Sequence, residues 1–306
     1  TIFVQGNIPS VGFIINVVFQ VFRYLHSFQF VDIIPAQIVI VGDVRIHLIA
    51  VQILRPVYHI LQAAEQTGKN VPKLLAEAKN AGIDAVEINM TYLNEHEETL
   101  EQLREAELRV SCVYEFYEMD KREEKERAKK HLETAQKAGA GKILVVPGFL
   151  SEEEARKMKE CVPDAEKMAA FLNGNEKALR MRDGLAYIAE QGAKMGITVT
   201  MEDFDNEKSP ISCVNGLLWF FGQIPQLRGT FDTGNFITHG EAVLTAWDSL
   251  KERIVHVHCK DRGDEAVAVG DGYIPVAAIV ERLNEIQYDG YLAIEHFDAA
   301  DQETCI

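Results

Sequence analysis

From about residue 70 the chain repeats one unit, an amphipathic helix followed by a short apolar strand. The stretch 71–81 sets Leu74, Leu75 and Ala78 on one helical face, stops at Gly82 and leads to a strand over 85–88. Helices over 95–107, 121–138 and 178–195 lead in turn to strands over 109–114, 142–146 and 197–202. Gly82, Gly139 and Gly196 each follow a helix directly, where glycine supplies the usual left-handed cap. Helices near 214–221, 241–250 and 276–286 precede strands over 227–232, 254–260 and 290–295. A first strand near 46–54 completes eight. Short apolar strands alternating with helices imply a parallel sheet, and eight such units favour closure into an α/β (β/α)₈ barrel. No GxGxxG follows a strand, so a dinucleotide-binding sheet lacks its fingerprint. The 306 residues suffice, since such a barrel takes about 250.

Composition narrows the partners. The formal net charge of −16 argues against a phosphate-gripping basic face, so no nucleic-acid partner is expected. Five widely spaced cysteines without a CxxC point to a reducing compartment, and a cytoplasmic location is expected. The first 43 residues form an apolar extension that the barrel pattern does not explain, and residues 44–306 are read as the barrel. The longest apolar run, 11–22, is interrupted by Asn16 and Gln20 and falls short of the ~20 residues of a membrane span.

Barrels of this kind react at the C-terminal ends of their strands. Four successive strands end there in a residue able to bind a metal: Glu202, Asp232, His258 and Glu295. Strand alternation puts Thr198, Thr200 and Glu202 on one face, and likewise Thr230 with Asp232 and His256 with His258. Val199, Met201, Phe231 and Val257 take the other face, toward the helices. Three carboxylates and one imidazole suit one hard or borderline divalent cation, with Mn²⁺ expected first and Mg²⁺, Co²⁺ or Zn²⁺ as alternatives.

At these residues the sequence resembles the xylose isomerase-like TIM barrels, in particular the sugar phosphate isomerase/epimerase group related to the ketohexose epimerases. The resemblance lies in Met201-Glu202-Asp203-Phe204, Phe231-Asp232-Thr233-Gly234-Asn235, His256-Val257-His258-Cys259-Lys260-Asp261, Gly270-Asp271-Gly272 and Ile294-Glu295-His296. Ligand spacings of 30, 26 and 37 residues are similar too. The resemblance implies a metal-dependent sugar or sugar phosphate isomerase or epimerase working by proton transfer through a metal-bound enediolate. In that reading Glu202 and Glu295 bind metal and exchange the proton, whereas Asp232 and His258 only ligate. The ketohexose epimerases carry His three positions after the strand-six acid, where this chain has Asn235. They carry Arg six positions after the strand-seven His, where it has Asp264, so Lys260 or Arg262 would substitute.

Asn235, His256, Lys260, Arg262 and Glu115 are therefore the candidate substrate contacts, with Glu87 a weaker one. For each the bland alternative is a packed or solvated polar residue. Competing functions are a dehydratase or lyase on a keto-polyol such as an inosose, and a silent metal- or sugar-binding barrel. An endonuclease IV-like hydrolase needs histidines that strands two to four do not offer. The expected partner is a small carbohydrate, with no membrane partner and with room for a homo-oligomer.

Overall fold

The computed structural model describes residues 52–263, 267–296 and 299–303, together with the backbone strands Ile38–Val41 and Val44–His47. The helix-to-strand rhythm resolves into a closed barrel of eight parallel strands. They are β1 (Gln52–Pro56), β2 (Ala85–Asn89), β3 (Arg109–Phe116), β4 (Lys142–Val146), β5 (Thr198–Glu202), β6 (Arg228–Asp232), β7 (Ile254–Lys260) and β8 (Tyr291–Glu295). β8 pairs with both β7 and β1, so the barrel has no open edge.

The first strand starts later than the sequence suggests. Val44–His47 does not join the barrel; it pairs antiparallel with Ile38–Val41. Uniformly apolar sequence has no period to mark where a strand begins, and Pro56 followed by helix sets only its end. The other residues of the expected extension lie outside the described residues. The chain divides into two compact units, residues 1–51 with 275–289 and residues 52–274 with 290–306. The second contains all eight barrel strands.

The helices are α1 (Val57–Thr67), α2 (Val71–Asn80), α3 (Met90–Glu95), α4 (Thr99–Glu105), α5 (Lys125–Ala138), α6 (Glu152–Lys159), α7 (Ala165–Gly174), α8 (Glu176–Met195), α9 (Val214–Gln223), α10 (Val243–Leu250) and α11 (Val276–Glu285). Their ends follow local chemistry. Asn70 and Asn175 cap α2 and α8 by accepting from the backbone N–H of Lys73 and Ala178, each at 2.9 Å. Ser151 and Glu154 form a reciprocal capping box on α6. Gly139 and Gly196 close α5 and α8 at φ of 73° and 70°. The helix expected over 95–107 is instead two, because Asn89 caps an earlier start and His96 leaves helical geometry. No helix among the described residues is long and apolar enough to cross a membrane.

Two contacts fix the frame of the site. Arg55, at the end of β1, reaches His296 Nδ1 just beyond β8 at 3.0 Å and ties the closing seam. Gly192 lets α8 lie against β5, since a Cβ there would stand 2.7 Å from both the Ile197 carbonyl oxygen and Val199 Cγ2. Gly192→Ala should therefore cost about 1–3 kcal/mol through overpacking. Gly222→Ala, on an open stretch of α9, should be neutral or gain up to about 1 kcal/mol. Urea unfolding of the two variants beside the parent checks the contrast.

Acid should also loosen the fold. His131 is fully buried, its Nε2–H donating to the Val113 carbonyl at 3.0 Å and its Nδ1 accepting from the Tyr117 hydroxyl at 3.0 Å. Burial lowers its pKa to about 4. Unfolded, the ring protonates near its ordinary 6.5, so the unfolded chain binds the extra proton. The stability it contributes is complete above pH 6.5 and falls as pH drops toward 4. Replacing His131 with Gln should flatten the stability–pH slope in that window by up to about 1.4 kcal/mol per pH unit, measured by urea titration at a series of pH values.

Candidate metal centre

The register of β5 to β8 builds the site. Glu202 pairs with Thr230, Asp232 with His258, and Glu295 with Lys260. Two-residue alternation then turns Glu202, Asp232, His258, Lys260 and Glu295 into the mouth. All five are buried. His258 sits at the centre. Its Nδ1 lies 2.9 Å from Glu202 Oε2 and 3.2 Å from Glu295 Oε1. Its Nε2 lies 3.0 Å from Glu87 Oε2. These are ion-pair distances; neither ring nitrogen is aligned for a hydrogen bond. One ligand atom each from Glu202, Asp232 and His258 fall within 4.8 Å of one another.

Lys260 enters the same cluster. Its ammonium is 2.9 Å from Asp232 Oδ2 and 3.4 Å from Glu295 Oε2, and it donates to Asn235 Oδ1 at 2.9 Å. Asn235 in turn donates to the Asp203 carbonyl at 2.7 Å. Asp232 Oδ1 accepts from the Gly234 N–H at 2.7 Å, and Asp203 Oδ1 accepts from the Asp232 N–H at 3.0 Å.

Among the described residues, carboxyl groups outnumber the cationic groups beside them. Glu87, Glu202, Asp232 and Glu295 face two cationic groups, His258 and Lys260. Burial pushes Glu202 above its usual range and Glu295 up to about 7, against the pull of His258. Burial alone would lower His258, but Glu295, Glu87 and Glu202 raise it well above its ordinary value. Burial likewise raises Asp203, helped by neighbouring Asp232. Four carboxyl groups thus crowd around one imidazole and one ammonium, an arrangement that a divalent ion would complement. The oxygen-rich donor set suits such an ion as well. An ion bound there would share Asp232 Oδ2 with the Lys260 ammonium.

The other sequence candidates divide. His256 is fully buried below the mouth, and its Nε2–H donates to Glu87 Oε1 at 2.5 Å. Burial lowers its pKa, against the pull of Glu87. Arg262 lies at the rim, bonded to Asp205 Oδ2 at 2.9 Å. Glu115 does not reach the mouth. Alternation turns Tyr114 and Phe116 inward and Glu115 toward the helices, where it accepts from Thr91 and Phe116 N–H and pairs with Arg127 at 3.1 Å. Asp264 lies outside the described residues. In the Gly270-Asp271-Gly272 turn, Gly270 and Gly272 donate to Asp261 Oδ2 at 2.9 and 3.0 Å. A Cβ on Gly272 would collide with that carboxylate.

Two features escaped sequence reasoning. Glu87 holds two imidazoles, though its shared parity with buried Ala85 marked it as inward. An aromatic wall of Tyr114, Phe116, Phe149 and Phe204 lines one side of the mouth, with ring centroids 5.8–6.2 Å apart along the chain of contacts. Phe116 is 42% exposed there. The parity of Cys112, Tyr114 and Phe116 was the available signal.

Known proteins share this architecture. The chain is 30% identical over 125 residues to an uncharacterised protein of Methanocaldococcus jannaschii, covering 38% of this chain and 43% of that one. It is 32% identical over 85 residues to the inosose dehydratase of Lacticaseibacillus casei, covering 21% of this chain and 28% of that one. The matched segments thus span less than half of either relative. The crystal structure of the 3-keto-D-glucoside 4-epimerase of E. coli superposes with a TM-score of 0.61 at 19% identity, over 78% of this chain and 92% of that one. That likeness shows a common fold. The sequence pattern of one family runs through residues 75–304, and by it the chain belongs to the xylose isomerase-like TIM barrels.

Proposed function

We propose that this chain is a divalent-metal-dependent isomerase or epimerase of a small keto-sugar or sugar phosphate. The observation that carries the reading is the placement of Glu202 and Glu295, from strands β5 and β8, on one nitrogen of His258 at 2.9 and 3.2 Å. Glu202, Asp232, His258 and Glu295 would hold the ion, with Mn²⁺ favoured by three carboxylates and one imidazole. When bound, such an ion would supply a Lewis acid that stabilises negative charge on the oxygen of a substrate carbonyl.

The chain's own groups supply the rest. A proton beside a carbonyl is weakly acidic, and a carboxylate within reach can remove it. With one glutamate on β5 and the other on β8, an ionised one would take the proton while the other, already protonated, gives its own to the opposite face; in an isomerisation the glutamate that took the proton would hand it to the adjacent carbon. Lys260 holds Asp232 and Glu295 in place and offers positive charge beside a developing enediolate. Asn235, fixed between Lys260 and Asp203, and Arg262 at the rim are the polar contacts for substrate hydroxyls or a phosphate. The aromatic wall would pack on the C–H face of a sugar and exclude water. A cytoplasmic enzyme of small carbohydrates fits the acidic surface and the scattered thiols.

A second reading shares the first proton transfer. A dehydratase of a keto-polyol would expel a hydroxyl from the enediolate instead of reprotonating it, and the likeness to an inosose dehydratase favours keeping it. A screen of ketoses, keto-inositols and sugar phosphates in deuterated water with Mn²⁺ separates the two. Deuterium beside the carbonyl with the carbon skeleton intact marks isomerisation or epimerisation. Loss of water with growth of enone absorbance marks dehydration. No exchange by the metal-loaded protein on any substrate sinks both.

Two outcomes are expected of the active protein. Glu202→Gln and Glu295→Gln should each slow solvent exchange by about 10²–10⁴-fold, the range for loss of a positioned acid–base group. An unchanged rate for Glu295→Gln removes the two-base assignment. Chelation should abolish exchange and lower the thermal midpoint. At an ion concentration one hundred times Kd the stabilisation amounts to about 2.7 kcal/mol, measurable by differential scanning calorimetry.

A further inference from the structure

We infer that Glu87 orients His258 for metal binding, and that His256 holds Glu87 in place. The inference rests on reading Glu202, Asp232, His258 and Glu295 as the ligand set. Glu87 is 1% exposed, too deep for a substrate contact, and both of its oxygens face imidazoles. Oε1 accepts from His256 Nε2–H at 2.5 Å, and Oε2 lies 3.0 Å from His258 Nε2.

The two nitrogens of His258 point to different partners. Among the described residues Nε2 faces Glu87, whereas Nδ1 faces Glu202 and Glu295. A neutral imidazole carries one N–H and one lone pair. The Glu87 carboxylate stands at ion-pair distance from Nε2, out of line for a hydrogen bond, and its charge favours the tautomer with the proton on Nε2, which leaves the lone pair on Nδ1, toward the other ligands. The opposite tautomer sets a lone pair against Glu87 and an N–H against the cation, and both contacts repel. Glu87 also stops the ring from turning away, much as a carboxylate behind a metal-bound histidine fixes its orientation and raises its basicity.

His256 completes the device. Its hydrogen bond occupies Oε1 and leaves Oε2 directed at His258. Glu87 and His256 are thus positioning residues.

The test is metal affinity without substrate. Mn²⁺ is titrated into the metal-free parent and Glu87→Gln, with free ion read by electron paramagnetic resonance. The variant keeps the side-chain shape and loses the charge, and should bind about 10–100-fold more weakly. A Kd within about twofold of the parent's overturns the inference. The parent supplies an independent readout, which decides the matter if the variant does not fold. With ¹⁵N-histidine and Zn²⁺ bound, long-range ¹H–¹⁵N spectra should show His258 protonated at Nε2 and His256 likewise. Protonation of His258 at Nδ1 overturns the inference. A parent that binds no divalent ion overturns this inference together with the metal reading, whereas tight parental binding with an unchanged variant overturns this inference alone.

Discussion

The crowding of four buried carboxyl groups at the barrel mouth sets the terms for everything around it. Glu87, Glu202, Asp232 and Glu295 meet in a space where water cannot solvate them, with His258 and Lys260 as the opposing cations. Buried carboxylates of like sign repel strongly and stay ionised only when compensated. Each cation is therefore shared. Lys260 lies between Asp232 and Glu295, and His258 among three glutamates. The carboxylates cannot drift apart, because each is rooted in a separate strand of a closed sheet. The barrel thus holds together a set of groups that would separate in solution.

The stagger between strands decides which residues meet. Glu202 aligns with Thr230, two residues short of Asp232, and His258 aligns with Ala293, two short of Glu295. A flat alignment of the four strand ends would put them at other heights. The two loops beside the cluster are anchored by acids rather than left to pack. Asp203 holds the Asp232 N–H, and Asp261 accepts from the N–H groups of Arg262, Gly270, Gly272 and Ile274 at 2.8–3.0 Å.

The sequence made the barrel and the converging quartet legible because both rest on periodicity. Helix caps at Gly139 and Gly196 mark element ends, and a period of two tells inward from outward at Glu202, Asp232 and His258. The same period sets Glu115 apart from the quartet. Glu115 stands near the end of β3 but on the outward parity, and its carboxylate bonds to Thr91 and Arg127. The start of β1 was obscured by an apolar stretch without alternation. Glu87 shows a different limit. Its parity was readable, but its partner His256 is 169 positions away, and only the folded barrel determines which of the inward side chains across it become neighbours.

The interior below the mouth departs from the branched apolar filling usual in such barrels. Leu54, Ala85 and Ala293 form an apolar cluster. Two residues beyond Ala85 stands Glu87 with His256, and across the barrel Thr230 donates to the Thr200 hydroxyl at 2.9 Å while Thr200 donates to the Ile143 carbonyl at 3.0 Å. Polar groups buried this deeply contribute little net stability, and the same space filled with Val or Ile would serve the fold at least as well. What hydrogen-bonded groups supply and aliphatic ones do not is direction. A methyl group tolerates rotation of the ring above it, whereas a carboxylate fixed by His256 favours one face of His258. The polar interior is best understood as support for the mouth, placing orientation in the rigid strands and leaving the surrounding loops to form the walls.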